Sequence, residues 1–191
     1  MSELNNTSAL SLNEIAEGLL GEELIEGGVA HDVEGDKFLT FKLNDTAYGV
    51  EITRIKEIIE YGGITRIPMT PPSIRGVLNL RGNVVPIIDL AERLECGSGD
   101  VSRRTCVIIT EVKDEGEVMD IGFVVDSVEQ VVGIHEDHIE AAPAFGAEIK
   151  SEYICGMGNV DEKFVVLLDM DTVFSVTELT ALVEAAMDSG Y

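Results

Sequence analysis

Few side chains in this sequence are spaced for chemistry. His135 and His138 stand three residues apart with Glu136 and Asp137 between them. On a helix that spacing puts both imidazoles on one face, where the acids could complete a metal site. The same four residues also suit a strand end and turn. No third cluster of ligands lies nearby, so no metal site is assigned. A metal-dependent or small-ligand-binding β-barrel enzyme built on this pair is the alternative to a non-catalytic protein. The three cysteines are Cys96, Cys106 and Cys155, an odd set without paired spacing, which fits a reducing compartment. Cys106 sits in an apolar run and reads as a small buried hydrophobe. Cys96, in a Gly-Ser loop, reads as an exposed thiol. Cys155-Gly-Met-Gly lacks the strand-to-helix context of a nucleophile elbow. No glycine-rich phosphate loop carries a lysine, and the acids are scattered singly in turns rather than paired. No enzyme activity and no cofactor are expected.

Binding chemistry is better represented. Arg75-Gly-Val-Leu-Asn-Leu-Arg81-Gly-Asn-Val-Val-Pro-Ile-Ile-Asp89 sets two apolar runs around Arg81-Gly82-Asn83. Gly-Asn favours positive φ, so the runs read as a tight hairpin. Alternation puts Leu78 and Leu80 on a core face and Val77, Asn79 and Arg81 on the other. That second face suits a groove better than a dry interior. An arginine between an aliphatic strand and a turn has a fixed partner or a binding role. Val84 to Ile88 reads as buried on both faces. Pro86 cannot donate to a ladder, so that strand has a free edge or a bulge there. Asp89 could cap the turn Leu90 to Leu94.

The elements that must position these residues follow from composition and period. The chain has 191 residues, 45% of them hydrophobic, with no tryptophan, so the core is aliphatic. The net charge is −23, which opposes nucleic-acid binding and attraction to anionic lipid. No apolar run reaches the roughly 18 residues that span a bilayer, and the acidic N-terminus is no signal peptide. A cytoplasmic location is expected.

Residues 1–36 hold nine acidic and no basic residues and stand apart as an acidic extension. Ser11-Leu-Asn-Glu14 has the form of a capping box, with Leu12, Ile15 and Leu19 at helical spacing. The segment is either a partly disordered tail or a docking helix for a partner groove. From Lys37 the period is two. Strands are expected over Phe38–Leu43, Tyr48–Ile52, Glu57–Tyr61, the Arg75–Asp89 hairpin, Arg104–Glu111, Val118–Val125, Val128–Ile134, Tyr153–Val160 and Lys163–Asp169. Pro68 to Ser73 and Ala141 to Gly146 are loops. Ser175-Val-Thr-Glu178 opens a C-terminal helix with Leu179, Leu182 or Val183, and Ala186 inward. About ten short strands with regular turns make an all-β barrel or sandwich.

Several dispersed motifs resemble the CheW family of chemotaxis adaptors. They are Phe38-Leu-Thr-Phe-Lys-Leu, Tyr48-Gly-Val-Glu-Ile, Lys56-Glu57-Ile, Ile67-Pro with Pro71-Pro72, and the Arg75–Asp89 stretch. Gly122-Phe-Val-Val-Asp126-Ser-Val128, Pro143-Ala-Phe145 and Tyr153-Ile-Cys-Gly-Met-Gly complete the set. The resemblance implies two interwoven SH3-like five-stranded β-barrels over 37–180, with 181–191 as the helix end and tail. It implies a non-catalytic scaffold coupling chemoreceptors to the histidine kinase CheA, cytoplasmic and recruited to membrane-associated receptor arrays. An adaptor for another receptor array, such as one governing surface motility, shares that fold. The implied receptor groove uses Ile55, Glu57, Gly76, Val77, Asn79, Leu80, Arg81, Val128 and Val131. Phe145 lies in the loop implied for a second contact, with the kinase and with other CheW-like domains in array rings. Glu140 stands where some relatives carry a basic residue, and the acidic extension has no counterpart.

Overall fold

The run Val107-Ile108-Ile109 has no polar face because both faces of its sheet are buried. Val107 and Ile109 pack with Ile59, Leu78, Val85, Ile87 and Val124. Ile108 packs instead with Ile58, Ile88 and Phe123. Residues i and i+2 share a face and i+1 takes the other, so this sheet separates two cores. The computed structural model describes residues 10–11, 35–142 and 149–188.

In chain order the strands are β1 (Leu10–Ser11), β2 (Asp36–Leu43), β3 (Thr46–Glu51), β4 (Ile55–Glu60), β5 (Ile74–Leu80) and β6 (Asn83–Asp89). After a short helix α1 (Leu90–Arg93) come β7 (Cys106–Asp114), β8 (Glu117–Val125), β9 (Ser127–Ile134), β10 (Ile139–Glu140), β11 (Ile154–Val160) and β12 (Lys163–Leu168). Helices α2 (Met170–Val173) and α3 (Val176–Asp188) follow. Among the described residues the strands form two six-stranded sheets, ordered β1-β4-β7-β8-β6-β5 and β10-β11-β12-β3-β2-β9. Each has five substantial strands and a two-residue strand at one edge. The chain starts the second sheet with β2 and β3, builds the first with β4 to β8, and returns with β9 to β12. That is the all-β architecture with a C-terminal helix expected from the strand pattern, and its interwoven order is the one the family resemblance implied.

Four hairpins turn through two consecutive residues of positive φ: Asn44-Asp45, Arg81-Gly82, Glu115-Gly116 and Asp161-Glu162. Two such residues make the turn whose twist matches the flanking strands. Pro86 behaves as expected. β6 pairs with β8 only over Ile87–Asp89, so the Pro86 side of β6 has no ladder to break there. Asp89 caps α1, accepting from the Glu92 backbone N–H at 3.1 Å, and the Glu178 N–H meets Ser175 Oγ at 3.5 Å.

The largest buried cluster lies between the two sheets. Leu39, Phe41, Tyr48 and Val50 of the second sheet meet Ile58, Ile108, Ile121 and Phe123 of the first. The Phe41 and Phe123 rings sit 5.7 Å apart and tilted. Helix α3 folds back over β6, β7 and β8, burying Val176 and Leu179. Smaller clusters fill the inside of each sheet's curl.

Several local expectations change. Ser11, the expected helix cap, is extended in β1, and the remainder of that expected helix lies outside the described residues. The expected inward Leu182, Val183 and Ala186 are outside the described side chains, and α3 runs through position 180 without a break. Leu80, read as core, is half-buried, because it ends β5 next to the turn. Cys96 is half-buried rather than an exposed loop thiol, since its loop folds onto the shared core and its Sγ lies 3.7 Å from the Tyr48 hydroxyl. Cys106, at the start of β7, is also only half-buried.

Candidate functional site

The first sheet curls until its two ends meet. The segment after β4 reaches β5, where Thr65 and Val77 exchange backbone hydrogen bonds at 2.9 Å in both directions. Gly76 makes this approach possible. Its φ is +143°, and a Cβ there would lie 2.1 Å from the Thr65 carbonyl oxygen. At the other end of β5, Arg81 completes the seam. Its guanidinium grips Glu57 of β4 with both nitrogens, Nη1 to Oε1 at 3.2 Å and Nη2 to Oε2 at 3.0 Å. This planar fork fixes direction as well as charge.

The placement of Arg81 corrects the alternation count. Glu57 stands two residues before Ile59 and opposite Ile109, so its carboxylate is on the inner face, with the Leu78 cluster. Arg81 has φ 51° and is the first turn residue. The turn therefore swings its side chain over the leucine side, not the Val77–Asn79 side. The positive-φ pair is Arg81-Gly82, while Asn83 already belongs to β6. Asn79 holds the turn by accepting from the Gly82 N–H at 3.0 Å. The Glu57 side chain is 9% exposed and that of Arg81 72%. The carboxylate is thus sunk in the barrel mouth and the guanidinium is its lid, one face outward.

The other expected groove residues fall into two groups. Ile55, Gly76 and Val77 are buried: Ile55 in the shared core, Val77 against Ile67 and Val84. Val128 and Val131 are half-buried on β9, packed against the shared core. They sit opposite Phe41 and Leu39 of β2. The side chains of the expected set with surface to offer a partner are therefore Asn79, Leu80, Arg81, Val128 and Val131. Phe145 lies outside the described residues.

A second arginine pair escaped the sequence reading. Arg75 contacts Asp89 through Nε at 2.9 Å and Nη2 at 2.6 Å, with the Asp89 side chain only 4% exposed. One carboxylate thus caps α1 and neutralises a cation. Thr40 is likewise buried for a reason: its hydroxyl donates to the Gln130 carbonyl at 2.8 Å and ties β2 to β9 across a register shift. On the outer side of β4, Lys56 binds Asp120 at 2.5 Å and Glu111 at 3.1 Å. The Asp120 hydrogen bond leads in raising the lysine pKa, and Lys56 in turn lowers that of Glu111. Among the described residues no buried side-chain nitrogen or oxygen lacks a partner.

His135 and His138 stay apart from this face. His135 Nδ1 accepts from the Asp137 N–H at 3.2 Å, capping a short 3-10 turn. Among the described residues no three His, Cys, Asp or Glu side chains gather as a metal site. Also among them, no helix is long and apolar enough to cross a membrane.

Comparison with known proteins agrees with this architecture. Residues 37–178 match the family model described as CheW-like domain. The chain is 36% identical over 156 residues to the chemotaxis protein CheW of Klebsiella aerogenes, covering 82% of this chain and 91% of that one. It is 37% identical over 109 residues to CheW of Bacillus subtilis, covering 57% and 67%. The crystal structure of the scaffolding protein TtCheW from Thermoanaerobacter tengcongensis superposes with a TM-score of 0.67 at 32% identity, covering 74% of this chain and 94% of that one. Fold, motifs and relatives converge: the chain belongs to the CheW family, as a non-catalytic chemotaxis scaffolding and coupling protein.

Proposed function

We propose that the chain couples the cytoplasmic tips of chemoreceptors to the histidine kinase CheA, and that the receptor tip docks where Arg81 closes the first barrel. The observation that carries this is the Glu57–Arg81 fork. A buried carboxylate holds an outward guanidinium in one orientation, ready to meet acids or carbonyls on a receptor helix without first losing side-chain freedom. Asn79 and the half-buried Leu80, Val128 and Val131 supply polar and aliphatic contact beside it. Ile55, Glu57, Gly76 and Val77 act from beneath, fixing the seam. The regulatory domain of CheA binds a different surface that includes Phe145, and further CheW-like domains join there in array rings. The protein works in the cytoplasm, recruited to membrane-associated arrays, with no cofactor and no nucleic acid.

The test is Arg81→Glu in separate binding assays with a receptor-tip fragment and with the CheA regulatory domain. Receptor binding falls at least about tenfold, as expected for reversing a fixed interfacial charge, while CheA binding is retained. Loss of both, with a collapsed melting curve, would make Arg81 a fold residue; loss of neither would remove the face from the receptor contact.

A further inference from the structure

Strand β4 is the last full-length strand at its end of the first sheet. Among the described residues β7 pairs along one side of it and the other side carries only β1. Leu10 stands opposite Ile58 and Ser11 opposite Glu57. So the N-terminal segment touches the barrel at the residue whose carboxylate holds Arg81. β4 spans Ile55–Glu60, and β1 covers two of those residues. A two-residue antiparallel ladder protects an edge but is easily opened.

Charge points the same way. Residues 1–36 contain nine acidic side chains and no basic one. Seating β1 on β4 ties the chain that carries those charges to the strand whose Glu57 holds the guanidinium of Arg81. Any partner helix that reaches for Arg81 with its own acids meets repulsion first and must compete for the cation.

We propose that β1 is an intramolecular competitor at the receptor-binding face: seated on the β4 edge at Glu57, it must leave before the receptor tip docks fully. This rests on the receptor reading above. The receptor's apparent affinity is reduced by the fraction of molecules in which β1 is seated. Free receptor tips at low density then engage poorly, whereas the high local concentration of tips in an array displaces the strand.

The experiment compares three forms of the full chain: unaltered, lacking residues 1–11, and carrying Leu10→Pro with Ser11→Pro. Removing residues 1–11 takes away one acid, Glu3, and the double proline none, so both break the ladder with charge almost constant. The probe is a soluble coiled-coil fragment of a receptor tip, and Kd is measured for each form. Backbone amide exchange over Ile55–Glu60 is followed in the same samples. Both altered forms bind about 3–10-fold tighter and exchange faster over β4. Equal affinity in all three forms overturns the competition while leaving the receptor reading intact. Unchanged β4 exchange overturns the seating of β1. Binding by none of the forms overturns the receptor reading, and the competition falls with it.

Discussion

Arg75 and Arg81 each hold one carboxylate, and their surroundings set different costs for losing them. The Arg75–Asp89 side chains are 20% and 4% exposed. Arg75→Ala leaves a buried charge unpaired, and urea unfolding is expected to show a loss of about 2–4 kcal/mol. The Arg81 side chain is 72% exposed and covers Glu57, so water screens the pair. Removing the arginine opens the carboxylate to water instead of leaving it buried and unpaired. Arg81→Ala is expected to cost under about 1 kcal/mol of stability while weakening receptor-tip binding. Equal stability losses would put Arg81 among the structural residues. Cysteine chemistry follows the same reasoning from surroundings. Cys155 is exposed as a residue, but partial desolvation of its thiol raises the pKa, and the Asp169 carboxylate adds to it. A raised pKa means less thiolate at pH 8, and thiolate is the nucleophile. Iodoacetamide should therefore label Cys155 more slowly than it labels a free thiol at pH 8. The rate should still be climbing with pH where the free thiol has reached its plateau.

Among elements, the β5–β6 hairpin shows where sequence reasoning holds and where it stops. Turn chemistry is local, so the turn at Arg81-Gly82 was legible from a short polar run between apolar ones, although its positive-φ pair starts one residue earlier than Gly-Asn suggested. Leu78, Val85 and Ile87 are buried as alternation requires. Leu80 is not, because it borders the turn and the barrel mouth. Ile87→Ala should cost about 2–5 kcal/mol, since Ile87 is fully buried in a filled cluster. Leu80→Ala should cost only roughly 1–2 kcal/mol, because less of it leaves water. Denaturant midpoints of the two variants check the order. The Arg75–Asp89 pair was within reach of counting: the two-residue turn sets Leu80 opposite Asn83, and the register shift near Gly76 brings Ile74 opposite Ile88. The Glu57–Arg81 pair was suggested only through family resemblance. It joins strands at opposite ends of a sheet order, and no local period encodes how a sheet curls shut. The inter-sheet core was equally hidden, because a strand buried on both faces has the same apolar run whichever core each face meets.

At the scale of the whole molecule, the composition of residues 1–36, nine acids and no base, predicts charge rather than core from the extension. β1 contributes two residues of edge pairing. Deleting residues 1–35 is expected to shift Tm by no more than about 4 °C, the equivalent of roughly 1 kcal/mol for a domain this size. A deletion that prevents folding would show that the extension packs as part of the domain. The interleaved order of the sheets bears on synthesis at the ribosome. β4 to β8 form an unbroken stretch of chain from Ile55 to Val125, so the first sheet can close as soon as that stretch has emerged. The second cannot: β2 and β3 form a hairpin early, but their outer partners β9 and β12 are made only after β8, and β12 is the last strand of all. Phe38, Phe41 and Tyr48 must wait, uncovered, through the translation of an entire barrel. That interval is when the nascent chain is most open to chaperone capture or to pairing with a neighbouring nascent copy. Slowing translation after Val125 should lengthen it, and a rise in chaperone-bound nascent chains from stalling there, but not from stalling after Leu168, would record it.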